Sequence, residues 1–378
     1  MSWISGVGQT SFGKHEGTDT LTLMSRAATA ALDDAGLSRQ DVDGLLCGYS
    51  TTFPHLMLST VFAEYFGVNP EFNQSVQLGG ATGFAMVRLA HELVSAGVAT
   101  HVLVVAGENR ATGQSRDVSI DTLAQVGHQG YELPIGPTIP AFYGLFASRY
   151  MHEYGLSETD LAEMAVLMRR HASRHPDAHL SSPISVEDVL ASRPIAAPLK
   201  MLDCCPISDG GCAVVVSRDR TRQGSGARII GAAQASLFQH ISATPSLILT
   251  GAAASAGRAM GGANTAVTDV TCAGIYDSFT VTICLLLEEL GLARPGEAPR
   301  RALEGDFDLE GTLPLNTHGG LLSFGHCGVG GALAHLVEMQ RQMTGRAGDR
   351  QIADPSLALM HGDGGVLSAH VSLVLEQS

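Results

Sequence analysis

The chain has 378 residues, of which 45% are apolar, and it carries a formal net charge of −14 at pH 7. This acidic balance argues against a broad nucleic-acid or membrane surface, because either needs a basic field. No apolar run of about 18 residues and no basic flank before an N-terminal apolar segment occurs, so a soluble cytoplasmic protein is expected.

One structural pattern is present twice in the chain. A first strand is predicted over residues 4–12, and residues 229–238 repeat its glycine, glutamine and serine at matching positions. Each copy then has a glycine-rich turn, an apolar helix and a strand, and it ends on a β-rich run. A duplicated α/β unit explains this most simply, with an N-terminal half at 1–220, a C-terminal half at 227–378 and the polar stretch 218–226 as linker.

The N-terminal half also contains a long insertion, residues 111–200, which we call the excursion. Periodicity is lost over its first thirty residues, and loops of that length often bind ligands. Along the chain, the predicted elements are helix 19–35, strand 42–48, helix 59–65, helices 141–154 and 158–173, helices 246–259 and 277–290, and a charged surface loop at 293–313.

The cysteines and lysines restrict the chemistry. The seven cysteines lack the paired spacing of a zinc site, so reduced thiols are expected and no metal is predicted. The chain has only two lysines, Lys14 and Lys200, which limits any mechanism that needs a Schiff base.

Two motifs give the chain a family resemblance. The segment from Asn316 to His326 and the Ser208-Asp-Gly-Gly211 turn resemble those of the thiolase superfamily, and more narrowly of the sterol-carrier-type thiolases, over essentially the whole chain. The resemblance implies an α/β thiolase fold with two duplicated βαβαβαββ-type halves in a layered αβαβα arrangement. Each half would hold a mixed five-stranded sheet, two helices would lie between the sheets, and the protein would be a homodimer.

The strongest single motif is Gly325-His326-Cys327-Gly328, which resembles the family's Gly-His-Pro-x-Gly. In the family this histidine helps to form an oxyanion hole for a thioester carbonyl, so the resemblance gives that role to His326. A histidine in a glycine-rich turn before a helix can also donate to a developing oxyanion on physical grounds alone. Asn316 and His318, shortly before it, are expected to line the same pocket.

The position of the family's nucleophile is occupied by glycine. Thiolases carry a reactive cysteine at the N-terminus of a central helix, where the helix dipole lowers its pKa. The matching segment here runs from Val76 to Gly83, and Gly80 falls on the cysteine, so no acyl-enzyme can form there. The family's second cysteine, an acid/base, falls in the segment 360–365, where His361 or a near neighbour replaces it and Gly364 lines the pocket. A structural role for His361 at the strand end is the alternative.

A third motif reads Tyr276-Asp277-Ser278-Phe279 where the family has Asn-Glu-Ala-Phe or His-Asp-Cys-Phe. The phenol of Tyr276 is a hydrogen-bond donor, or a base if its pKa is lowered. A tyrosine here, together with loss of the nucleophile, is similar to the steroid side-chain retro-aldolases, which cleave a β-hydroxyacyl-CoA. Those enzymes have a second tyrosine in the turn where this chain has His326.

The resemblance therefore implies a carbon–carbon lyase of lipid metabolism, in steroid degradation, that takes a coenzyme A thioester as substrate and binds no other cofactor. Relatives of this kind often bind a small OB-fold and zinc-ribbon partner, which this chain lacks. Two alternatives remain at this point. Cys327 could serve as a displaced nucleophile of an acyltransferase or thiolase, although a small buried residue is the plainer interpretation, or the chain could be a non-catalytic acyl-CoA-binding subunit.

Overall fold

The structure is a computed structural model that describes residues 1–220 and 226–378. The predicted linker thus falls mostly on residues outside the described ones. The described strands are β1 (Ser2–Gln9), β2 (Gly44–Gly48), β3 (Phe72–Val76), β4 (His101–Asn109), β5 (Pro194–Ala196), β6 (Leu199–Lys200), β7 (Asp209–Ser217), β8 (Ala227–Ser236), β9 (Cys272–Ile275), β10 (Leu357–Gly364) and β11 (Ala369–Gln377).

The α-helices alternate with these strands in the duplicated core and fill the excursion. They are α1 (Thr20–Ala35), α2 (Leu58–Phe66), α3 (Thr82–Ser95), α4 (Arg116–Ala124), α5 (Ile139–Tyr154), α6 (Glu158–Ala172), α7 (Val186–Ala191), α8 (Ala252–Ala263), α9 (Thr280–Glu289), α10 (Ala298–Leu303) and α11 (Val329–Met343).

Nine of the strands form one mixed sheet in the order β3-β2-β4-β7-β1-β8-β11-β10-β9. The first five belong to the N-terminal half and the other four to the C-terminal half. The seam between the halves is an antiparallel pairing of residues 2–4 with residues 227–229. The two halves are therefore joined strand to strand through the first strand of each.

The duplication is repeated in backbone detail. Gly6 of β1 lies against α1, where an added Cβ would come within 2.4 Å of the carbonyl oxygen of Ala31. Gly231 of β8 lies against α8 in the same way, because an added Cβ there would come within 2.2 Å of the carbonyl oxygen of Ala259. Each strand also has one irregularity in its pairing, at Ser5 in β1 and at Ile230 in β8. The matching glycines and bulges confirm the predicted duplicated α/β unit.

Two helices form the central layer. Helices α3 and α11 contact strands of both halves, while α1 packs on the N-terminal strands and α8 on the C-terminal strands from outside. Nearly every residue of α11 is buried, as expected for a helix covered on all sides. This is the predicted layered αβαβα arrangement of the thiolase fold.

The C-terminal half has four strands rather than the predicted five. Where a third parallel strand would lie, only a single bridge between Leu315 and Ala273 forms. Pro314 precedes this bridge and Asn316 follows it with a φ of 45°, so the extended run cannot continue on either side. The same turn brings Asn316 to the end of β9.

Several predicted boundaries also shift. Helix α8 begins at Ala252 rather than near residue 246, because the backbone N–H groups of Thr250 and Gly251 donate to the carboxylate of Glu289 instead of continuing a helix. The charged loop at 293–313 contains α10, and the aperiodic start of the excursion contains α4.

Helices α5 and α6 of the excursion pack on the C-terminal half. Phe142, Phe146 and Tyr150 of α5 share one apolar cluster with residues of α8, α9 and β9–β11. Helix α6 contacts both α9 and α10. No helix in the described part of the chain combines the length and the apolar character needed to cross a membrane.

Candidate active site

Tyr276 lies directly after β9, and the backbone around it is held firmly. Its N–H donates to the carbonyl oxygen of His361 at 2.9 Å. The side-chain amide of Asn316 bridges the preceding residue, accepting from the N–H of Ile275 at 2.8 Å and donating to its carbonyl oxygen at 2.7 Å. Asn316 therefore positions Tyr276 through the backbone, and the phenol itself is only 5% exposed.

His326 faces Tyr276 from the glycine-rich turn before α11. The Tyr276 hydroxyl and the His326 Nε2 are 2.9 Å apart. Ser208 fixes the turn, because its Oγ accepts the N–H of His326 at 3.2 Å and its own N–H donates to the carbonyl oxygen of His326. The structure thus brings together two residues that are 50 positions apart in sequence.

The partners of His326 determine its tautomer. Its Nδ1 accepts the backbone N–H of Gly328 at 3.1 Å and faces NH1 of Arg110 at 3.3 Å. Both are donors, so Nδ1 carries no proton and the hydrogen is assigned to Nε2. Burial, and then the nearby Arg110, lower the pKa of His326 to about 3. His326 is therefore a neutral donor whose Nε2–H points at the phenol oxygen of Tyr276.

Tyr276 is protonated at neutral pH. Burial raises its pKa well above the usual value of 10, and the nearby Cys205 and Asp363 raise it further. Since the Nε2–H of His326 donates to the phenol oxygen, the hydroxyl hydrogen of Tyr276 remains available to another acceptor. The pair thus presents two neutral donors side by side.

Gly80 and Tyr276 share one volume. A Cβ on Gly80 would lie 2.3 Å from the Tyr276 hydroxyl and 2.5 Å from the carbonyl oxygen of Asp363. The phenol thus occupies the space that a side chain at position 80 needs. Gly80 stands just before α3, so the space at the start of a central helix is filled by tyrosine rather than by a residue of that helix. The glycine at 80 and the tyrosine at 276 are sterically coupled.

Gly364 belongs to the wall behind this space. An added Cβ there would lie 2.1 Å from the carbonyl oxygen of Leu78, so the backbones at 78–80 and 363–365 approach very closely. Gly364 therefore contributes backbone shape next to Gly80.

His361 does not join the pair. Its Nδ1 contacts Ser372 Oγ at 2.8 Å, its Nε2 contacts His370 Nδ1 at 3.1 Å, and the side chain is fully buried. Burial lowers the pKa of His361 well below its usual value. Only the carbonyl oxygen of His361 reaches Tyr276, so the geometry favours the alternative of a structural role at the strand end over an acid/base role for its imidazole. Strand alternation turns this side chain to the face of β10 opposite the one that contacts α3.

His318 is also away from the pair. Its ring lies 4.7 Å from that of His335 and 5.2 Å from that of Phe324, and both ring nitrogens are buried without a hydrogen-bond partner in the described part of the chain. Burial lowers its pKa well below the usual value. His318 is therefore a core residue rather than a lining of the pocket.

This burial predicts a pH-dependent effect of His318→Phe. Below about pH 6.5, His318 binds a proton in the unfolded chain but stays neutral in the folded chain. The free energy of unfolding of the wild type therefore falls by about 1.4 kcal/mol per pH unit. Phenylalanine removes this cost, so the stability of the variant relative to wild type should rise by about 2 kcal/mol on going from neutral pH to about pH 5. Urea unfolding at the two pH values measures the change. A gap that does not vary with pH would contradict the buried neutral state, and turnover should be retained.

None of the cysteines resembles an activated thiol. Cys327 is fully buried, its Sγ lies 2.7 Å from the Cβ position of Gly330, and burial raises its pKa well above the usual value. Cys205 is partly exposed and lies near Tyr276, yet burial of its thiol raises its pKa to about 12. A thiolate nucleophile needs a lowered pKa, so the site does not favour cysteine chemistry.

Two further buried polar residues, Arg110 and Asp363, lie near the pair and are outside the predicted catalytic set. Arg110 follows β4 and contacts His326. Asp363 ends its strand next to Gly364; its Oδ2 accepts from the Tyr143 hydroxyl at 3.2 Å, and its Oδ1 is buried without a partner among the described residues. Asp363 stands in the segment that matches the family's second catalytic position, so that match could have indicated it. For Arg110, the position after a strand left two interpretations equally open: a residue that lines the dimer interface or the pocket, and a solvated loop.

Comparisons with known proteins agree with the fold described above. Residues 3–220 match the family of thiolase N-terminal domains, and residues 233–377 match the family described as thiolase C-terminal domain-like. The chain is 36% identical over 360 residues to a steroid side-chain-cleaving aldolase of Thermomonospora curvata, covering 89% of this chain and 90% of the relative.

Two further similarities concern a lyase and a solved structure. The chain is 34% identical over 341 residues to a 17-hydroxy-3-oxo-4-pregnene-20-carboxyl-CoA lyase of Mycobacterium tuberculosis, covering 84% of this chain and 86% of the relative. The solved structure described as Ltp2-ChsH2(DUF35) aldolase has a TM-score of 0.86 and 31% identity, with 99% of this chain and 97% of that chain covered. With both of its halves matched and its fold shared, the chain belongs to the thiolase family.

Proposed function

We propose that this protein is an enzyme of the thiolase family that cleaves the Cα–Cβ bond of a β-hydroxyacyl-CoA thioester by a retro-aldol reaction, without a covalent intermediate. The observation that carries the proposal is the 2.9 Å contact of Tyr276 and His326, made in the space that a side chain at position 80 would need. Such a pair can exchange a proton and hold an oxyanion, and it contains no activated thiol of the kind that thiolases use for acyl transfer.

The bond changes of such a cleavage balance without an acyl-enzyme. The β-hydroxyl loses its proton, the electrons of that O–H bond form the carbonyl of the departing aldehyde or ketone, and the Cα–Cβ electrons pass into the thioester as an enolate. The enolate then takes a proton at Cα to give the shortened acyl-CoA. With the ester bound, the Nε2–H of His326 turns from the phenol oxygen of Tyr276 to the enolate oxygen and donates to it.

Tyr276 is the group that exchanges the hydroxyl proton. Because its pKa is raised, it is protonated at rest, so in cleavage its oxygen takes the substrate proton while its own proton passes to the carboxylate of Asp363. The Asp363 carboxyl is buried, one of its oxygens has no partner among the described residues, and its charge raises the pKa of Tyr276. Burial raises the pKa of Asp363, which brings it closer to the range of a useful proton acceptor.

The relatives support a more specific assignment. Two of them are named for cleavage of a steroid side chain or of a pregnene carboxyl-CoA, so we take a CoA thioester of a steroid side chain as the substrate to test first. The related solved structure pairs its aldolase with a second protein, which supports a small OB-fold and zinc-ribbon partner for this chain as well. Exposed apolar side chains such as Leu56, Tyr131 and Ile135 offer surface for such contacts. A homodimer in the cytoplasm remains part of the proposal.

The test is a substrate panel followed by mass spectrometry. Purified protein, with and without a co-purified small partner, is incubated with β-hydroxyacyl-CoA and β-ketoacyl-CoA esters. An aldehyde or ketone plus a shortened acyl-CoA, formed from the hydroxy esters without free CoA, is the expected result. Cleavage of the keto esters that depends on free CoA would instead indicate a thiolase, and binding of the esters without any cleavage would indicate a non-catalytic subunit.

The displaced-cysteine alternative is tested by Cys327→Ala. We expect turnover within about threefold of wild type, because the Cys327 thiol is buried and has a raised pKa. Loss of a true nucleophile would instead lower turnover by several orders of magnitude. Rates for the hydroxy esters are compared after thermal unfolding has shown how much stability the lost sulfur costs. A loss of turnover by about 10³-fold or more in a folded variant would restore the acyltransferase hypothesis.

A further inference from the structure

Arg110 is a buried cation beside the active site. Only 7% of it is exposed, and among the described residues it forms no ion pair with a carboxylate. Its Nε is buried without a hydrogen-bond partner, and its NH1 faces the Nδ1 of His326. A buried arginine is normally paired with an acid, so a guanidinium without one leaves positive charge to be balanced by something else.

The backbone after Arg110 is fixed, which keeps the guanidinium in place. The carboxylate of Asp209 accepts the N–H groups of Ala111 at 2.6 Å and of Thr112 at 3.2 Å, and also the Thr112 hydroxyl at 2.8 Å. The N–H of His15 adds a fourth donor at 2.9 Å. The carboxylate of Asp209 thus accepts hydrogen bonds from this loop and is not paired with the Arg110 side chain.

Glu108, the acid whose pKa the charge of Arg110 lowers, is also poorly suited to neutralise it. Glu108 accepts the N–H groups of Thr51 and Thr52 and the Thr51 hydroxyl through one oxygen. Burial is the largest influence on Glu108 and raises its pKa, which favours the uncharged carboxyl. The other titratable groups that face Arg110 are phenols and thiols with raised pKa values, which are neutral.

The contact with His326 gives this charge a direction. The guanidinium lies behind Nδ1, and the Nε2–H on the opposite side of the ring points into the site. A positive charge behind an imidazole strengthens its N–H as a donor, and it interacts favourably with negative charge that forms in front of it. The guanidinium of Arg110 therefore polarises the His326 ring, and the ring itself stays neutral.

We infer that Arg110 is a positioning residue that holds His326 as a neutral Nε2–H donor and supplies the buried positive charge that favours an anionic oxygen of the bound CoA ester over a neutral one. This inference rests on the proposed function, because it assigns the charge to the enolate of that reaction. Arg110 itself acts through His326 and is not placed in contact with the substrate.

The test compares a charged with a neutral ligand of the same shape. S-carboxymethyl-CoA carries an anionic carboxylate one carbon beyond the thioester carbon, next to where the enolate would form, and S-carbamoylmethyl-CoA is its uncharged counterpart. Calorimetry gives the ratio of the two affinities for wild type, Arg110→Met, Arg110→Lys and Arg169→Met. Arg169 is a matched control, because it is also buried and is hydrogen-bonded to a serine hydroxyl and a carbonyl oxygen rather than to an acid.

We expect wild type to prefer the carboxylate, and we expect this preference to fall about tenfold or more in Arg110→Met, as for the loss of an oxyanion-stabilising group. Arg110→Lys should keep most of it, and Arg169→Met should leave the ratio unchanged. A preference that survives in folded Arg110→Met, or that falls equally in Arg169→Met, would overturn the inference and leave the lyase standing. If wild type binds neither analogue, the proposed function fails, and the inference fails with it.

Discussion

Replacing Tyr276 by phenylalanine should lower turnover of a β-hydroxyacyl-CoA by about 10²-fold or more, because it removes the hydroxyl that exchanges the substrate proton. The ring would remain in the same buried space, so the fold and the affinity for the CoA ester should persist. The loss should therefore appear in kcat rather than in KM. Steady-state kinetics on the best hydroxy ester, with circular dichroism as a check of folding, measures it.

A buried tyrosine away from the site provides the control. Tyr150 is fully buried in the apolar cluster formed by the excursion and the C-terminal half, and its hydroxyl donates to Glu288. Tyr150→Phe should cost about 1–3 kcal/mol of stability by removing one donor from that buried carboxyl, which keeps the N–H of Ala298, with turnover near wild type. Equal rates for wild type and Tyr276→Phe would remove Tyr276 from the mechanism and support a non-catalytic, ligand-binding role.

Gly80→Ala is the second substitution with a large expected effect. The new methyl group would lie 2.3 Å from the Tyr276 hydroxyl, so the phenol must move away from His326. The backbone at Asp363, only 2.5 Å from the same point, blocks an easy adjustment in the other direction. Turnover should fall by about 10²-fold, as much as if the hydroxyl were deleted. The measurement is the same kinetic assay.

A double-mutant cycle separates this steric coupling from a general loss of structure. If Gly80→Ala acts by displacing the phenol, then adding Tyr276→Phe should reduce turnover little further. Gly257 of α8 is the matched control, because an added Cβ meets no atom within 4 Å, so Gly257→Ala should keep both stability and rate. Multiplying losses in the double variant would show that the two residues act independently.

The features that sequence reasoning predicted are those that depend on local pattern. The glycine, glutamine and serine repeated at the start of each half indicated the duplication, and the glycine recurs because both strands must let a helix approach closely. The glycine at 80 and the tyrosine at 276 could each be identified from motif register. The sequence could not show that the Tyr276 side chain fills the space next to Gly80. No sequence rule relates the rotamer of a residue after β9 to free space at the start of α3.

The choices that the sequence left open also have a physical cause. His361 and Asp363 stand two residues apart on β10, and a histidine attracts attention because it titrates near neutral pH. Its neighbours, Ser372 and His370 on β11, bind both of its ring nitrogens, and only the strand pairing reveals this. For Arg110 the sequence left a pocket lining and a solvated loop equally open, because the hydrogen bonds of Asp209 that fix residues 111 and 112 cannot be read from sequence. Residues whose role depends on what other segments place around them are the hardest to predict.

The packing of the excursion bears on how such a chain can be recombined. In sequence it belongs to the N-terminal half, yet α5 and α6 cover apolar surface of the C-terminal half. A chimaera that exchanged only residues 227–378 for those of a relative would keep α5 and α6 of this chain. Those helices fit the apolar surface of this C-terminal half and not that of the relative. The exchangeable unit is therefore discontinuous, comprising the C-terminal half together with the excursion. Evolutionary change in the two pieces is bound to be correlated.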